Sequence, residues 1–380
     1  MMFLDTAIPP QNYLEDPHAH LARWRAAAPL HHVAHQNLWL VTSYDMVARL
    51  LHDERLTLGR GSSFAERSRH FRITVVKQLR AFFAALDGVA IDDVIRDVAD
   101  RAFRRILDRG EADLVSDLAQ AVPYAVMGRL LGVPEAELRQ LLPLSAALIT
   151  DYDMLPFSGS PSRGKAVMDA YFRRHLAQAR ARDITPLMTL LVRAQREHGI
   201  SDDMLTDVCS RLLSAGSSTT AGCLANIMVR LLRDTAAALP ERPSPHQMDA
   251  LIEELIRLDT PVLAIRRQAG QDFKLGDASI QKGQAIVLMV AAANRDQAYF
   301  PNPDAVDLQR TGKKQLSFGH GAFHCLGAPL TRKEIRIVLE RLLPCLPAIE
   351  LQAQPARRVG WLLFEPAQLP ARIGVPCLAN

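Results

Sequence analysis

Cys325 lies in the stretch LSFGHGAFHCLGAPL, residues 316–330, among Gly319, Gly321 and Gly327, with His320 and His324 beside it and Pro329 just beyond. A lone cysteine is commonly a small buried apolar residue. The glycines point elsewhere, because such a cluster lets another group lie against the main chain. Pro329 suits the first turn of a helix, so Cys325 precedes a helix N-terminus, where unpaired N–H groups and the macrodipole stabilise a thiolate. A thiolate-bound metal in a flat cofactor fits these features. A cysteine nucleophile with His324 as base is the competing chemistry, but adjacent residues rarely align for proton transfer, and no Asn or Asp partner is suggested by spacing.

Two other segments carry candidate chemistry. Glu254 and Arg257 in EELIR are three apart, on one helical face, and read alone they are an ordinary surface ion pair. The segment LLSAGSSTTAG, with Gly216 and a run of serines and threonines, is a poor helix interior. Blandly, it is a loop or a weak helix start. A threonine inside a helix can share its bond to the i−4 carbonyl and present its hydroxyl to a ligand.

These residues must be positioned by a chain of 380 residues, 48% apolar and 23% charged, which is enough for a large core. The formal charge of +4 comes without Lys/Arg blocks, so no nucleic-acid partner is expected. The N-terminal segment lacks a basic region followed by an apolar run, and the apolar run 285–293 is far shorter than the roughly 18–20 residues of a membrane span. A cytoplasmic protein with no membrane span is expected. Five dispersed cysteines, an odd number without a C-x-x-C pair, argue against a disulfide framework or structural zinc. The stretch 38–51 reads as a strand feeding a helix. The region 91–232 reads as helical almost throughout, with stops at Gly110 and at Gly132 and Pro134. Beyond Arg267 short strands are expected, then the cysteine loop and a helix starting near Pro329.

The loop FGHGAFHCLG resembles the haem-binding loop of cytochrome P450 monooxygenases, F-G-x-G-x-[HR]-x-C-x-G, at Phe318, Gly319, Gly321, Cys325 and Gly327. The resemblance extends from about 17 to 376 and implies a mainly α fold with minor β, one haem domain over 1–380. The β-rich parts are expected near 30–60 and 260–310, the helical parts at 85–255 and 326–345. It implies haem b with Cys325 as thiolate ligand, whose electron donation favours O–O cleavage. It makes Glu254 and Arg257 a buried pair completed by Arg295 or Arg310. Arg267, six residues after Pro261, becomes a propionate contact, and Leu263, Ala264 and Ile265 face the substrate. The 211–221 region becomes the long distal helix, with Ala215 at the substrate, Gly216 and Thr219 at the oxygen groove, and Ser218 where the pattern has an acid. A second departure is Phe323, where the pattern has His or Arg for a propionate. In 62–83 the match is weakest: His70 and Arg72 are the candidates for the other propionate, and Thr74 stands at the expected Arg position.

The implied activity is monooxygenation of a small lipophilic substrate of secondary metabolism, free or bound to a carrier protein. Electrons would come from NAD(P)H through a ferredoxin-type donor and its reductase, docking on Lys313, Lys314, Arg332, Lys333, Arg336 and Arg341. Oxidative coupling, desaturation or peroxide-driven catalysis are alternative enzyme readings, and a haem-thiolate gas or redox sensor is the non-enzyme one.

Overall fold

The computed structural model describes residues 2–3, 13, 15–58, 72–86, 89–154, 163–235, 239–240, 242–357, 360 and 362–374. The chain forms two compact units, one of residues 1–68, 244–325 and 359–364, the other of 69–243, 326–358 and 365–380.

The first unit is built on a six-stranded sheet. Strand Leu38–Val41, of the β-favouring residues Leu-Trp-Leu-Val, pairs antiparallel with Leu30–Val33 and parallel with Ala285–Leu288. All four of its residues are buried, as expected of a central strand covered on both faces. As expected, the strand feeds helix Tyr44–Leu51, whose Val47, Leu50 and Leu51 join a core cluster with Leu288 and Leu316. Strand Ile265–Ala269, which carries Arg267, lies antiparallel to Ala285–Leu288. Helix Pro245–Leu258 opens with a capping box, Ser244 against Gln247, and with proline at its first turn.

The second unit is helical. Helix Val89–Arg109 stops at Gly110 and helix Ala121–Leu131 at Gly132, both glycines at φ +68. That left-handed conformation is the one a helix stop requires and side chains resist. One expectation needs correction: the region read as helical contains strand Glu111–Asp113, which pairs with Pro370–Ile373. A partner some 260 residues away overrides the local helical pattern. Cys345 stands in a disulfide, which the dispersed cysteines did not suggest.

The long helix Asp202–Arg230 starts at Ser201, whose hydroxyl accepts from Met204 N. Among the described residues it is long and apolar enough to cross a membrane by length and composition, yet 78% of its apolar window is buried within the fold. It is a core helix whose weak interior residues are held by packing rather than by propensity.

Candidate functional site

In the first unit, the cysteine loop is shaped by its glycines. Gly319 and Gly321 adopt φ +67 and +68. A Cβ on Gly321 would sit 2.8 Å from His52 Nδ1, so a side chain there would also collide with the neighbouring ring. Phe318 and Cys325 are tied by the bond from Cys325 N to Phe318 O, 2.9 Å. His320 caps the short turn Gly321–Phe323, its Nδ1 accepting from Gly321 N at 3.0 Å. Desolvation, then the nearby His52 and Lys314, lowers the His320 pKa. Cys325 itself is exposed.

Arg267 is 5% exposed. Its Nη1 donates to Arg266 O at 2.9 Å, and its guanidinium lies 4.9 Å over the Phe323 ring. The departure at Phe323 thus acquires a physical role, because an aromatic face can steady a cation that a histidine there could not stack as well. Ile265 is partly buried and its Cδ1 would be 3.6 Å from a Cβ on Gly319. Leu263 and Ala264, expected to face substrate, are instead packed into a core cluster with Tyr13, Leu21 and Trp24. In that run only Ile265 keeps exposed surface.

The Glu254–Arg257 pair is buried. Arg257 grips Glu254 with both Nε and Nη2, at 2.7 and 2.8 Å, and donates to the carbonyls of Asn294, Pro303 and Ala305. Arg310 completes the cluster, Nε to Glu254 Oε1 at 3.1 Å. Arg295 is turned to Asp304 and the Leu258 carbonyl. The open choice between the two arginines falls to Arg310.

In the second unit, the long helix is buried along most of its length but shows one open stretch. Ala215 is exposed, and Gly216 and Thr219 are partly so. Thr219 Oγ1 donates to Ala215 O at 2.6 Å, the shared mid-helix bond expected of it. On its other side Gly216 packs closely, and a Cβ there would come within 3.1 Å of Met127 Sδ, so the methionine side chain would have to shift. Ser218 is 6% exposed and shares a 2.7 Å hydrogen bond with Tyr124 Oη. The serine therefore belongs to the helix's packed side. Tyr124 was missed by sequence reasoning, since nothing local links positions 94 apart. Thr220 and Thr331 share a 3.0 Å bond.

Gly327 caps helix Ala328–Leu342, with Pro329 in its first turn. Of the basic residues expected to meet an electron donor, Lys333 pairs with Asp92 at 3.0 Å and Arg341 with Asp100. Lys314 is exposed, and Lys313 lies 4.3 Å over Tyr299. Arg72 begins the turn Arg72–Val76, while His70 lies outside the described residues.

These features fit a haem group. In the first unit the fit rests on an exposed cysteine in a glycine-shaped loop and a buried arginine; in the second unit, taken by itself, it rests on an open stretch of small and hydroxyl side chains on a buried helix. Residues 242–346 match the cytochrome P450 family model. The chain is 33% identical to the cyclomarin C epoxidase CymV of Salinispora arenicola, over 73% of this chain and 71% of that one. It is 30% identical to the cytochrome P450 monooxygenase PikC of Streptomyces venezuelae, over 94% and 90% respectively. Among solved structures, P450BioI in complex with an acyl carrier protein bearing hexadec-9Z-enoic acid superposes with a TM-score of 0.82 at 23% identity, covering 96% of this chain and 100% of that one. The chain belongs to the cytochrome P450 family. It is accordingly an oxidoreductase, a monooxygenase of a family that uses haem with a cysteine thiolate ligand and takes electrons from redox partners.

Proposed function

We propose that residues 1–380 form one haem domain in which Cys325 is the thiolate ligand, and that the enzyme inserts one oxygen atom from O2 into a small lipophilic organic substrate. When bound, thiolate-ligated haem supplies reductive activation of dioxygen. The loop of Cys325 carries the reading: its backbone is pinned to Phe318, Gly319 and Gly321 take conformations side chains resist, and Cys325 is exposed. Phe318, Gly319, Gly321 and Gly327 shape that loop. Arg267, braced on Phe323, anchors one propionate, with Arg72 and His70 assigned to the other.

Thr219 is the hydroxyl that handles protons on the oxygen side, and Gly216 leaves room beside it. Ala215 and Ile265 are the substrate contacts, and Leu263 and Ala264 belong to the core of the first unit. Electrons come from NAD(P)H through a reductase and a ferredoxin-type donor, in the cytoplasm. Lys313, Lys314, Arg332, Lys333, Arg336 and Arg341 are the contacts, of which Lys333 and Arg341 also pair with acids of helix Val89–Arg109. An epoxidase of cyclomarin C among the relatives supports an organic natural product as substrate, and the carrier-protein complex of P450BioI supports a carrier-bound form of it.

The test is turnover with ferredoxin, reductase and NADPH under isotopically labelled dioxygen, on ligands first selected by their shift of the haem spin state. Product carrying one labelled oxygen is expected. Product formed by loss of hydrogen alone, without label, would replace monooxygenation by desaturation or coupling.

A further inference from the structure

Three ion pairs run between helices Val89–Arg109 and Ala328–Leu342 of the second unit. Asp92 meets Lys333 at 3.0 Å, Arg96 meets Glu340 at 2.8 Å, and Asp100 meets Arg341. Asp92, Arg96 and Asp100 are spaced four apart and share one face of their helix, and their partners follow in the same order along the other. The signs alternate: acid, base, acid on the first helix meet base, acid, base on the second. In both outer pairs the acid stands further into solvent than the base it holds. The side chains of Asp92 and Asp100 are 35% and 46% exposed, those of Lys333 and Arg341 21% and 19%. Pairs this exposed stabilise a helix contact little and are easily exchanged. What the two outer acids do most effectively is cover positive charge. Helix Ala328–Leu342 begins three residues after Cys325 in the chain, and Lys333 and Arg341 belong to the basic set assigned to the electron donor.

We propose that Asp92 and Asp100 are built-in competitors of the electron donor, an acidic ferredoxin-type protein that docks by taking Lys333 and Arg341 over from them. This rests on the reading of those basic residues as the donor's contacts. Exchanging one carboxylate for another at each base leaves the base paired before and after docking. The gain from each new contact is therefore reduced by the pair it breaks, which keeps the complex weak and its release fast. Asp92 and Asp100 also repel an acidic protein whose carboxylates miss the two bases. Between them Glu340, held by Arg96, is a further negative group that a uniformly acidic face must avoid. The ladder thus selects a donor whose carboxylates match the spacing of Lys333 and Arg341.

The test measures, by titration calorimetry at low ionic strength, the dissociation constant of the holoenzyme with an oxidised [2Fe–2S] ferredoxin of net negative charge. Asp92→Asn/Asp100→Asn should bind about fivefold tighter than the wild type, the gain expected from removing two exposed competing pairs. Asp93→Asn/Asp97→Asn removes the same charge from the same helix, where Asp97 pairs with Arg101 and Arg129 instead. This control should gain less than about twofold. Lys333→Gln/Arg341→Gln should weaken binding about tenfold. Adding Asp92→Asn/Asp100→Asn to it should then bring no more than the control's gain, because the competition needs both partners. No gain in Asp92→Asn/Asp100→Asn, a gain equal to the control's, or a full gain that persists without the two bases overturns the exchange. Unchanged binding in Lys333→Gln/Arg341→Gln would instead overturn the docking reading beneath it.

Discussion

Glu254 and Glu334 are both buried carboxyl groups, one in each unit, and their surroundings are opposite. Glu254, 5% exposed, accepts from Arg257 at 2.7 and 2.8 Å, from Asp307 N at 3.0 Å and from Arg310 at 3.1 Å. Glu334, fully buried in helix Ala328–Leu342, has no hydrogen-bond partner for either oxygen among the described residues, and burial pushes its pKa well above the carboxylate range. A charge removed from water must be met by partners or given up. The first group is a structural cluster that holds its segment together. Burial disfavours the anion of the second, so folding works against its ionisation.

The contrast is sharpest when one partner is removed. Arg257→Leu leaves Glu254 buried with Arg310 as its one arginine partner and strands three carbonyls, so urea unfolding should show a loss of about 3–5 kcal/mol. A loss below about 1 kcal/mol would mean that the cluster is no more than a surface pair. Arg310→Leu should cost less, about 2 kcal/mol, because the bidentate grip of Arg257 survives. Arg295→Leu should leave Glu254 untouched and cost least of the three arginine changes.

Glu334→Gln should act in the other direction and depend on pH. Its folded pKa is raised, so between the ordinary carboxylate range and that raised value the folded chain holds a proton that the unfolded chain has lost. Wild-type stability therefore falls as pH rises across this window, while the variant has no such penalty. The variant should be more stable at pH 8, by on the order of 1–3 kcal/mol, and the difference should vanish below about pH 4. A variant less stable than the wild type at both ends would show that Glu334 has partners after all.

A smaller effect is expected at the surface. Charge reversal at Arg332 and Arg336 should slow reduction by a ferredoxin-type donor at low salt, with the difference shrinking as salt rises, and should leave substrate-induced spectral shifts alone. Equal rates at low salt would remove these residues from donor docking.

Much of this was legible in the sequence where the cause is local. The stops at Gly110 and Gly132, the strand and helix of 38–51 and the glycine-shaped loop before Ala328 are each set by residues within a turn or two. The long helix was legible only through the family resemblance, because its propensity is poor and its stability comes from burial. What escaped depends on distant partners. Arg310 was one of two candidates, and only a contact across 56 positions selects it over Arg295, while Tyr124 lies 94 from Ser218. The strand Glu111–Asp113 exists only because Pro370–Ile373 pairs with it, and the burial of Leu263 and Ala264 follows from packing on Tyr13 and Trp24. The sequence pattern marked Ser218 as a departure but held no sign of which groups stand behind it.

The central claim is that Cys325 binds the haem iron as thiolate. Its most direct test is the absorption spectrum of the reduced protein under carbon monoxide, for the wild type and for Cys325→Ala. The account predicts the strongly red-shifted Soret band of thiolate ligation in the wild type and its complete loss in the variant. A variant that retains the band would contradict the assignment and move the ligand to another residue.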